Sequence, residues 1–187
     1  MRHQSTGISL HSLNNKCLYA RLRVWLTIGI FAVTVVCIML IRIRYLLVVE
    51  VTSNSMAPTI LQGERLLFLK GAYSNTVPRR GDIVVLQNPL NKEELIVKRV
   101  VGLPGEFIAT YRGKVCISSK PIDEPYVGGI ATIGLTPMLI SDGHVYLLGD
   151  NRSASEDSRD FGPVPINKLL GKLLIRISPL NRFGRVQ

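Results

Sequence analysis

The chain has 187 residues, of which 47% are hydrophobic and 19% are charged, and its formal net charge is +10. A chain of this length can bury one sizeable core but hardly two, and so many apolar residues with so few charges suggest that a segment of the chain lies in lipid. The basic residues are dispersed without a helix-turn-helix, zinc-finger or aromatic RNA-binding signature, so they favour anionic lipid head groups over nucleic acid.

The N-terminal part of the chain contains one long apolar segment. Residues 1–23 are mostly polar, and the first 20 show no periodicity, so they predict a flexible cytoplasmic tail. Residues 24–41 carry no charge, and as a helix they would extend about 27 Å, which just spans a bilayer core. A cleaved signal peptide would have a shorter apolar core ending in small residues, whereas this one ends in Ile41-Arg42-Ile43-Arg44. A buried soluble helix would show a polar face. We therefore predict a retained transmembrane helix.

The charges on either side of this span bear on its orientation. Basic residues precede it without any acidic residue, and fewer basic residues follow it: Arg2, Lys16, Arg21 and Arg23, then Arg42 and Arg44. The positive-inside bias therefore modestly favours a cytoplasmic N-terminus and an extracytoplasmic C-terminal domain.

Short β-branched runs dominate the chain after the span. Clusters of Gly, Pro, Asn and Asp separate them, which is turn chemistry. The predicted strands are 45–51, 64–70, 82–87, 94–101, 106–111, 114–117, 144–148 and 172–177. We therefore predict a single mainly β domain over residues 45–187, tethered by one helix.

The cysteines and histidines give no indication of a disulfide framework, a metal site or a cofactor. The three cysteines would be separated by the membrane, no metal-ligand spacing is present, and the three histidines are isolated. These residues are Cys17, Cys37 and Cys116, and His3, His11 and His144. We predict neither a metal nor a cofactor, and the histidines are expected to be surface or structural residues.

Three blocks carry the candidate chemistry: Ser-Asn-Ser-Met-Ala-Pro-Thr at 53–59, Lys98-Arg99, and Gly-Asp-Asn-Arg-Ser-Ala-Ser-Glu-Asp-Ser-Arg at 149–159. A serine attacks a carbonyl only if a base removes its proton, and a buried lysine can be that base. Considered separately, the first block is an ordinary turn, the lysine an edge residue and the third block a solvated loop.

Together, in this order and spacing, the blocks resemble the type I signal peptidases, from about Val24 to Ile177. The resemblance implies a mainly β, signal-peptidase/LexA-like catalytic domain with one N-terminal transmembrane helix. It implies a plasma-membrane serine endopeptidase that removes signal peptides from preproteins with a Ser/Lys dyad and no cofactor. Its partners would be preproteins and the lipid bilayer.

The resemblance also implies roles for individual residues. Ser55 would be the nucleophile and Lys98 the general base, which requires a lysine pKa about two to three units below its ordinary value. Burial among Ile96, Val97, Val100 and Val101 could supply that shift, and repulsion from Arg99 could add to it. The supporting roles are Ser53 and the Ser55 N–H as oxyanion donors, Ser155 orienting the lysine, an Asp157–Arg159 ion pair, and Asp150, Asn151 and Arg152 building the loop.

Substrate specificity would come from shallow apolar pockets for small residues at positions −1 and −3 of the cleavage site. By the same resemblance their lining residues would be Val51, Met56, Ile60, Val85, Ile96 and Val97. Three positions depart from the family pattern: Ile96, where some relatives have Tyr, Glu106, where Asp is usual, and Asp160, where many have a bulkier residue.

Alternative functions remain open at this point. A LexA-type self-cleaving repressor shares the chemistry, but it carries a DNA-binding domain where this chain has an apolar span. A membrane-anchored binding domain would not need an intact serine and lysine. Mitochondrial and plastid processing peptidases are the runner-up, although Gly-Asp-Asn-Arg with Phe161-Gly162 looks more bacterial.

Overall fold

The computed structural model describes residues 10–186, and the chain divides into two compact units at Arg44 and Tyr45. Helix α1, Leu10–Tyr45, lies in the first unit except for its last residue. Its segment Arg21–Arg42 is long and apolar enough to cross a membrane, and none of its most apolar stretch is buried. An exposed apolar surface of this size is typical of a helix that lies in lipid.

The prediction of a flexible tail over the first 20 residues is wrong for residues 10–20, which belong to α1. Residues 10–23 contain neither proline nor glycine. A helix nucleated in the neighbouring apolar segment can therefore extend through them at little cost per residue. The part of the predicted tail at residues 1–9 lies outside the described residues.

The second unit is mainly β, as predicted, and every predicted strand is present. In chain order the strands are β1 Leu46–Glu50, β2 Arg65–Lys70, β3 Ile83–Gln87, β4 Leu95–Gly102, β5 Phe107–Tyr111, β6 Lys114–Ile117, β7 Lys120–Pro121, β8 Met138–Leu139, β9 His144–Leu148, β10 Val164–Pro165 and β11 Leu169–Ser178. Helix α2, Ser158–Phe161, is a single turn between β9 and β10. The strands that sequence did not predict are β7, β8 and β10, each of two residues.

These strands form two sheets. The larger has the order β1-β2-β11-β3-β4-β9-β10, and the smaller has the order β7-β6-β5-β8. Strand β4 lies between β3 and β9, with Lys98 opposite Val84 and Arg99 opposite Leu148. Since Lys98 precedes Arg99 and the pairing is antiparallel, the chain leaves β9 at Gly149 directly beside Lys98.

The core of the second unit consists of three clusters of buried apolar side chains. One cluster includes Met56, Ile60, Phe68 and Val85, and it lies under the turn that follows β1. A second is formed mainly from β3, β4 and β9, and a third packs the smaller sheet against β9. Alternating side chains of β3 and β4 thus enter different clusters, as the period of a strand requires.

Candidate active site

Lys98 lies in the middle of β4 and is only 2% exposed. Its ammonium has no ion pair or hydrogen bond with any residue in the range 10–186. Burial lowers the pKa of Lys98 from 10.5 to about 8, although the negative charges of Asp157, Glu156 and Glu94 oppose this change. A substantial fraction of this lysine is therefore uncharged near pH 8 and able to accept a proton.

Arg99 is also buried, but it does not act on Lys98 as the sequence suggested. Its guanidinium donates to both carboxylate oxygens of Asp150, at 2.8 and 2.7 Å, and to the carbonyl of Gly81 at 3.1 Å. The same group lies 4.0 Å from the ring centre of Tyr126. Consecutive side chains of a strand point to opposite faces. The cation that contributes to the lowered pKa of Lys98 is instead Arg159.

Ser55 lies in the turn that follows β1, and it is buried, at 7% exposure. We call this turn, residues 53–59, the serine turn. The Ser53 hydroxyl donates to Ser55 Oγ across 3.2 Å. The turn is closed by backbone hydrogen bonds from Ala57 to Asn54, at 3.1 Å, and from Ile60 to Met56, at 2.9 Å. Within the described part of the chain the Ser55 N–H donates to no backbone carbonyl, so it is available to another acceptor.

The third block meets this turn directly. The Asn151 N–H donates to the Ser55 carbonyl, and its side-chain amide donates to the Asn54 carbonyl, both at 3.1 Å. The contact is tight at Gly149, where an added Cβ would lie 2.2 Å from Ser155 Oγ and 2.5 Å from the Ser55 carbonyl oxygen. Glycine is therefore required here, and the first and third blocks converge at the end of β9, beside Lys98.

Ser155 does not form the hydrogen bond to Lys98 that the resemblance implies. Its Oγ is buried and has no hydrogen-bond partner among residues 10–186. A buried hydroxyl without a partner carries a free-energy cost, which marks Ser155 as a group that can still accept or donate a hydrogen bond within this site.

Asp157 and Arg159 form the predicted ion pair, through two contacts of 2.8 and 2.9 Å. Burial would raise the pKa of Asp157, but hydrogen bonds from Arg159 and from the Gly149 N–H hold it below its ordinary value. Asp157 also caps α2, and Asp160 accepts a hydrogen bond from the Asp157 N–H at 2.9 Å. The unusual Asp160 therefore completes a capping box, which accounts for an acid at this position.

Sequence reasoning missed one loop that three arginines of the blocks contact. Arg152 donates to the Gly149 carbonyl at 3.0 Å and forms an ion pair with Glu124 at 2.6 Å. Arg159 donates to the Ile133 carbonyl at 3.1 Å, and Arg99 lies over Tyr126. The loop 124–133 thus supports the site, and no pattern in its own sequence indicates this role.

Glu106, the other acid that departs from the family pattern, forms an ion pair with Arg80 at 2.5 Å outside this loop.

The predicted pocket residues divide between two clusters. Five pack together, and none is more than 7% exposed: Val51, Met56, Ile60, Val85 and Val97. Ile96 packs with the second cluster instead, because it neighbours Val97 on β4 and points to the opposite face of the strand. The structure therefore does not group Ile96 with the other predicted residues, and those five are closed into the core.

A buried lysine with a lowered pKa, close to a tightly held serine turn on a β scaffold, is the chemistry of a serine peptidase. The comparisons with known proteins agree. The family described as "Signal peptidase, peptidase S26" matches residues 22–178. The chain is 36% identical to probable signal peptidase I-2 of Synechocystis sp. over 168 residues, which cover 86% of this chain and 76% of the relative. It is 37% identical to signal peptidase I of Bacillus caldolyticus over 148 residues, covering 72% and 80%.

Similar relatives also include mitochondrial ATP-independent inner membrane protease subunit 1b of Arabidopsis thaliana, which is 33% identical over 158 residues, covering 83% of this chain and 85% of that one. A crystal structure of a signal peptidase I from Enterococcus faecalis matches with a TM-score of 0.46 at 27% identity, covering 52% of this chain and 97% of that one. The chain belongs to the signal peptidase family, peptidase S26. This membership confirms the resemblance and identifies the chain as a serine peptidase.

Proposed function

We propose that this signal peptidase cleaves preproteins with Ser55 as nucleophile and Lys98 as general base. The observation that carries the proposal is the buried Lys98, whose pKa is lowered to about 8 and which has no counter-ion among the described residues. The strand register supports the pairing, because the segment that binds the Ser55 carbonyl begins next to Lys98. No histidine belongs to any of the three blocks, so lysine is the residue suited to be the base.

The proposed reaction has two halves. Neutral Lys98 takes the proton from Ser55 Oγ, which attacks the carbonyl carbon of the scissile bond, and the ammonium then protonates the leaving amine of the mature protein. The acyl-enzyme is hydrolysed when Lys98 takes a proton from water and the resulting hydroxide attacks the ester carbonyl. The bond between that carbonyl carbon and Ser55 Oγ then breaks, the signal peptide leaves with a new C-terminal carboxyl group, and the Lys98 ammonium returns the proton to Ser55 Oγ. The Ser53 hydroxyl and the Ser55 N–H donate to the oxyanion in both halves.

Ser155 and the charged residues of the third block have supporting roles in this proposal. The Ser155 hydroxyl is buried beside Gly149 and has no hydrogen-bond partner in the described part of the chain, so a hydrogen bond to the neutral amine of Lys98 would satisfy it. Asp150 neutralises Arg99, and Asp157 and Arg159 hold the segment that follows Ser155. Asn151 and Arg152 fasten the loop to the serine turn and to loop 124–133.

The proposed specificity is for small side chains at positions −1 and −3. Met56 and Ile60 flank the serine turn, and they pack with Val51, Val85 and Val97 as one apolar cluster. This cluster is closed in the structure, so only a small side chain could enter it without a large displacement of core residues.

The chemical assignment is tested by incubating the full-length protein in detergent with a preprotein that carries an Ala-x-Ala site. We expect a single cut after the second Ala, read by N-terminal sequencing of the product. Ser55→Ala should abolish it, whereas Ser141→Ala, which changes an exposed serine far along the chain, should not. Equal processing by wild type and Ser55→Ala would refute the proposed nucleophile.

We also propose that the protein crosses the plasma membrane once, with its N-terminus in the cytoplasm. The apolar segment Arg21–Arg42 and the excess of basic residues before it support this topology. External protease should then digest residues 45–187 in intact spheroplasts, while a cytoplasmic marker protein stays intact. Digestion only after lysis would reverse the orientation.

A further inference from the structure

A cluster of three charged residues outside the sequence blocks holds the far end of the serine turn. Glu64, 2% exposed, lies between two arginines that come from the C-terminal part of the chain. Arg176 Nη1 contacts both of its carboxylate oxygens, at 3.0 and 2.8 Å, and Arg182 Nη1 contacts one at 3.0 Å. We call Glu64, Arg176 and Arg182 the Glu64 cluster.

Both arginines of the Glu64 cluster also donate to the backbone of the serine turn. Arg176 Nη1 donates to the Thr59 carbonyl at 3.2 Å. Arg182 Nη2 donates to the Pro58 carbonyl at 3.3 Å and to the Thr59 carbonyl at 3.2 Å. Hydrogen bonds from a charged donor are stronger than those from a neutral one. Two successive carbonyls, three and four residues after Ser55, are therefore held by cations that share one buried counter-ion.

The scaffold that carries the arginines is itself fixed. Arg176 lies on β11, and its backbone exchanges hydrogen bonds with Gly184, at 2.9 and 3.1 Å. Its Nε donates to the Arg182 carbonyl at 2.6 Å, so the two arginines are joined to each other as well. The Glu64 backbone pairs with Val51, where the chain enters the turn. The cluster thus connects the entrance of the turn, its exit and the C-terminal segment.

The serine turn is consequently fastened at two places on either side of its reactive residue. Asn151 binds the carbonyls of Asn54 and Ser55, and the Glu64 cluster binds those of Pro58 and Thr59. We propose that Arg182 and Arg176 are positioning residues, which set the place of Ser55 Oγ relative to Lys98 and the substrate carbonyl. This inference rests on the proposed role of Ser55. A displacement of a nucleophile by about 1 Å can cost on the order of a hundredfold in rate.

Arg182 is the better residue to change, because its side chain is 31% exposed whereas Arg176 is deeply buried. We expect Arg182→Ala to lower kcat by about tenfold while KM changes less than about twofold, because Ser55 Oγ shifts whereas Met56 and Ile60 stay packed in their apolar cluster. Arg182→Lys should recover part of the loss, because an ammonium can still donate to one carbonyl and pair with Glu64. Arg185→Ala is the matched control and should have the wild-type kcat, since this exposed neighbour forms no hydrogen bond or ion pair with Glu64 or the turn among residues 10–186.

The measurements are kcat and KM for preprotein cleavage, with the folded fraction of each variant from circular dichroism at the assay temperature. An unchanged kcat in Arg182→Ala, or a loss no larger than the loss of folded protein, would overturn the inference. So would equal losses in Arg182→Lys and Arg182→Ala. Ser55→Ala in the same assay separates the two proposals: if it stays active the nucleophile is wrong, and if it alone is inactive only the positioning role fails.

Discussion

Lys98 and Arg99 are neighbours on one strand, yet their surroundings are opposite. Both are buried, at 2% and 4% exposure. Arg99 is satisfied by the Asp150 carboxylate, a carbonyl and an aromatic ring, whereas Lys98 has no ion pair with any residue in the range 10–186. A guanidinium keeps its proton in either environment, but an ammonium without a counter-ion can lose it. Arg99, paired with Asp150, is therefore a structural cation, whereas Lys98, which lacks such a partner among the described residues, can act as a base.

The largest expected effect comes from removing the reactive cation. Lys98→Ala and Lys98→Arg should each lower kcat/KM by about 10²–10⁴-fold, since neither side chain can accept a proton from Ser55. Both proteins should stay folded, which circular dichroism can verify. Lys114→Arg, a change at an exposed strand lysine, should leave kcat/KM unchanged. Wild-type activity in Lys98→Arg would contradict the assignment of Lys98 as base.

Removing Asp150, the counter-ion of Arg99, should lower the stability of the fold. Asp150→Ala leaves the Arg99 charge buried and unpaired, and we expect it to lower the free energy of unfolding by about 3–5 kcal/mol. The matched control is Lys172→Ala, which breaks a partly exposed pair with Asp82 and should cost about 0–1 kcal/mol. Denaturant unfolding in detergent measures both. Equal costs would show that burial does not distinguish these pairs.

The pH dependence of activity should report the proton on Lys98. Burial lowers the pKa of Lys98 to about 8, so kcat/KM should be low in mild acid and rise as pH increases through about 8. A profile of kcat/KM against pH checks this, with His144→Ala as the control. The acidic limb should be unchanged in that variant, because His144 lies outside the three blocks. Loss of the acidic limb in His144→Ala would indicate that a histidine is the base.

The same pKa has a consequence for stability. The folded pKa of Lys98, about 8, is below the value of 10.5 for an unburied lysine. The unfolded chain therefore binds more protons between these two pH values, and folding gains stability as pH rises through this window. Below pH 8 the full cost of burying the charge is present. Lys98→Met should remove this dependence from denaturant unfolding curves measured from pH 7 to 10.

The smallest expected effect comes from a carboxylate at the edge of the site. Glu156 is exposed and raises the pKa of Lys98, so Glu156→Gln should move the acidic limb of the kcat/KM profile to lower pH. Salt screens an exposed charge, so the displacement should shrink as ionic strength rises. Glu93→Gln, an equal loss of charge elsewhere on the surface, should not move the limb. If both variants displaced the acidic limb equally, the displacement would be caused by the net charge of the protein and not by the position of Glu156.

Much of the scaffold was predictable because its signals are local. β-branched runs and turn residues gave every strand longer than two residues, and an uncharged stretch of 18 residues gave the apolar helix. The missed strands, such as Val164–Pro165, are too short to show a period of two. The start of α1 at Leu10 was missed because polar residues of adequate helix propensity can extend a helix begun elsewhere.

The site was less predictable wherever it depends on partners distant in sequence. Motif spacing brought Ser55, Lys98 and the third block together, but it did not indicate that Arg99 pairs with Asp150 on the opposite face of β4 from Lys98. Glu64 and Arg182 are separated by more than a hundred residues, and no pattern along the chain links them. Such pairs are determined by the packing of the two sheets, which sequence periodicity does not describe.

A substitution at Gly149 should inactivate the enzyme without removing any functional group. A single methyl group there would collide with Ser155 Oγ and with the Ser55 carbonyl oxygen, and so would push apart the two segments that meet beside Lys98. A variant of this kind would keep every hydroxyl, amine and carboxylate of the site. Loss of activity in such a variant would therefore be caused by the spacing of the two segments and not by the absence of a reactive group.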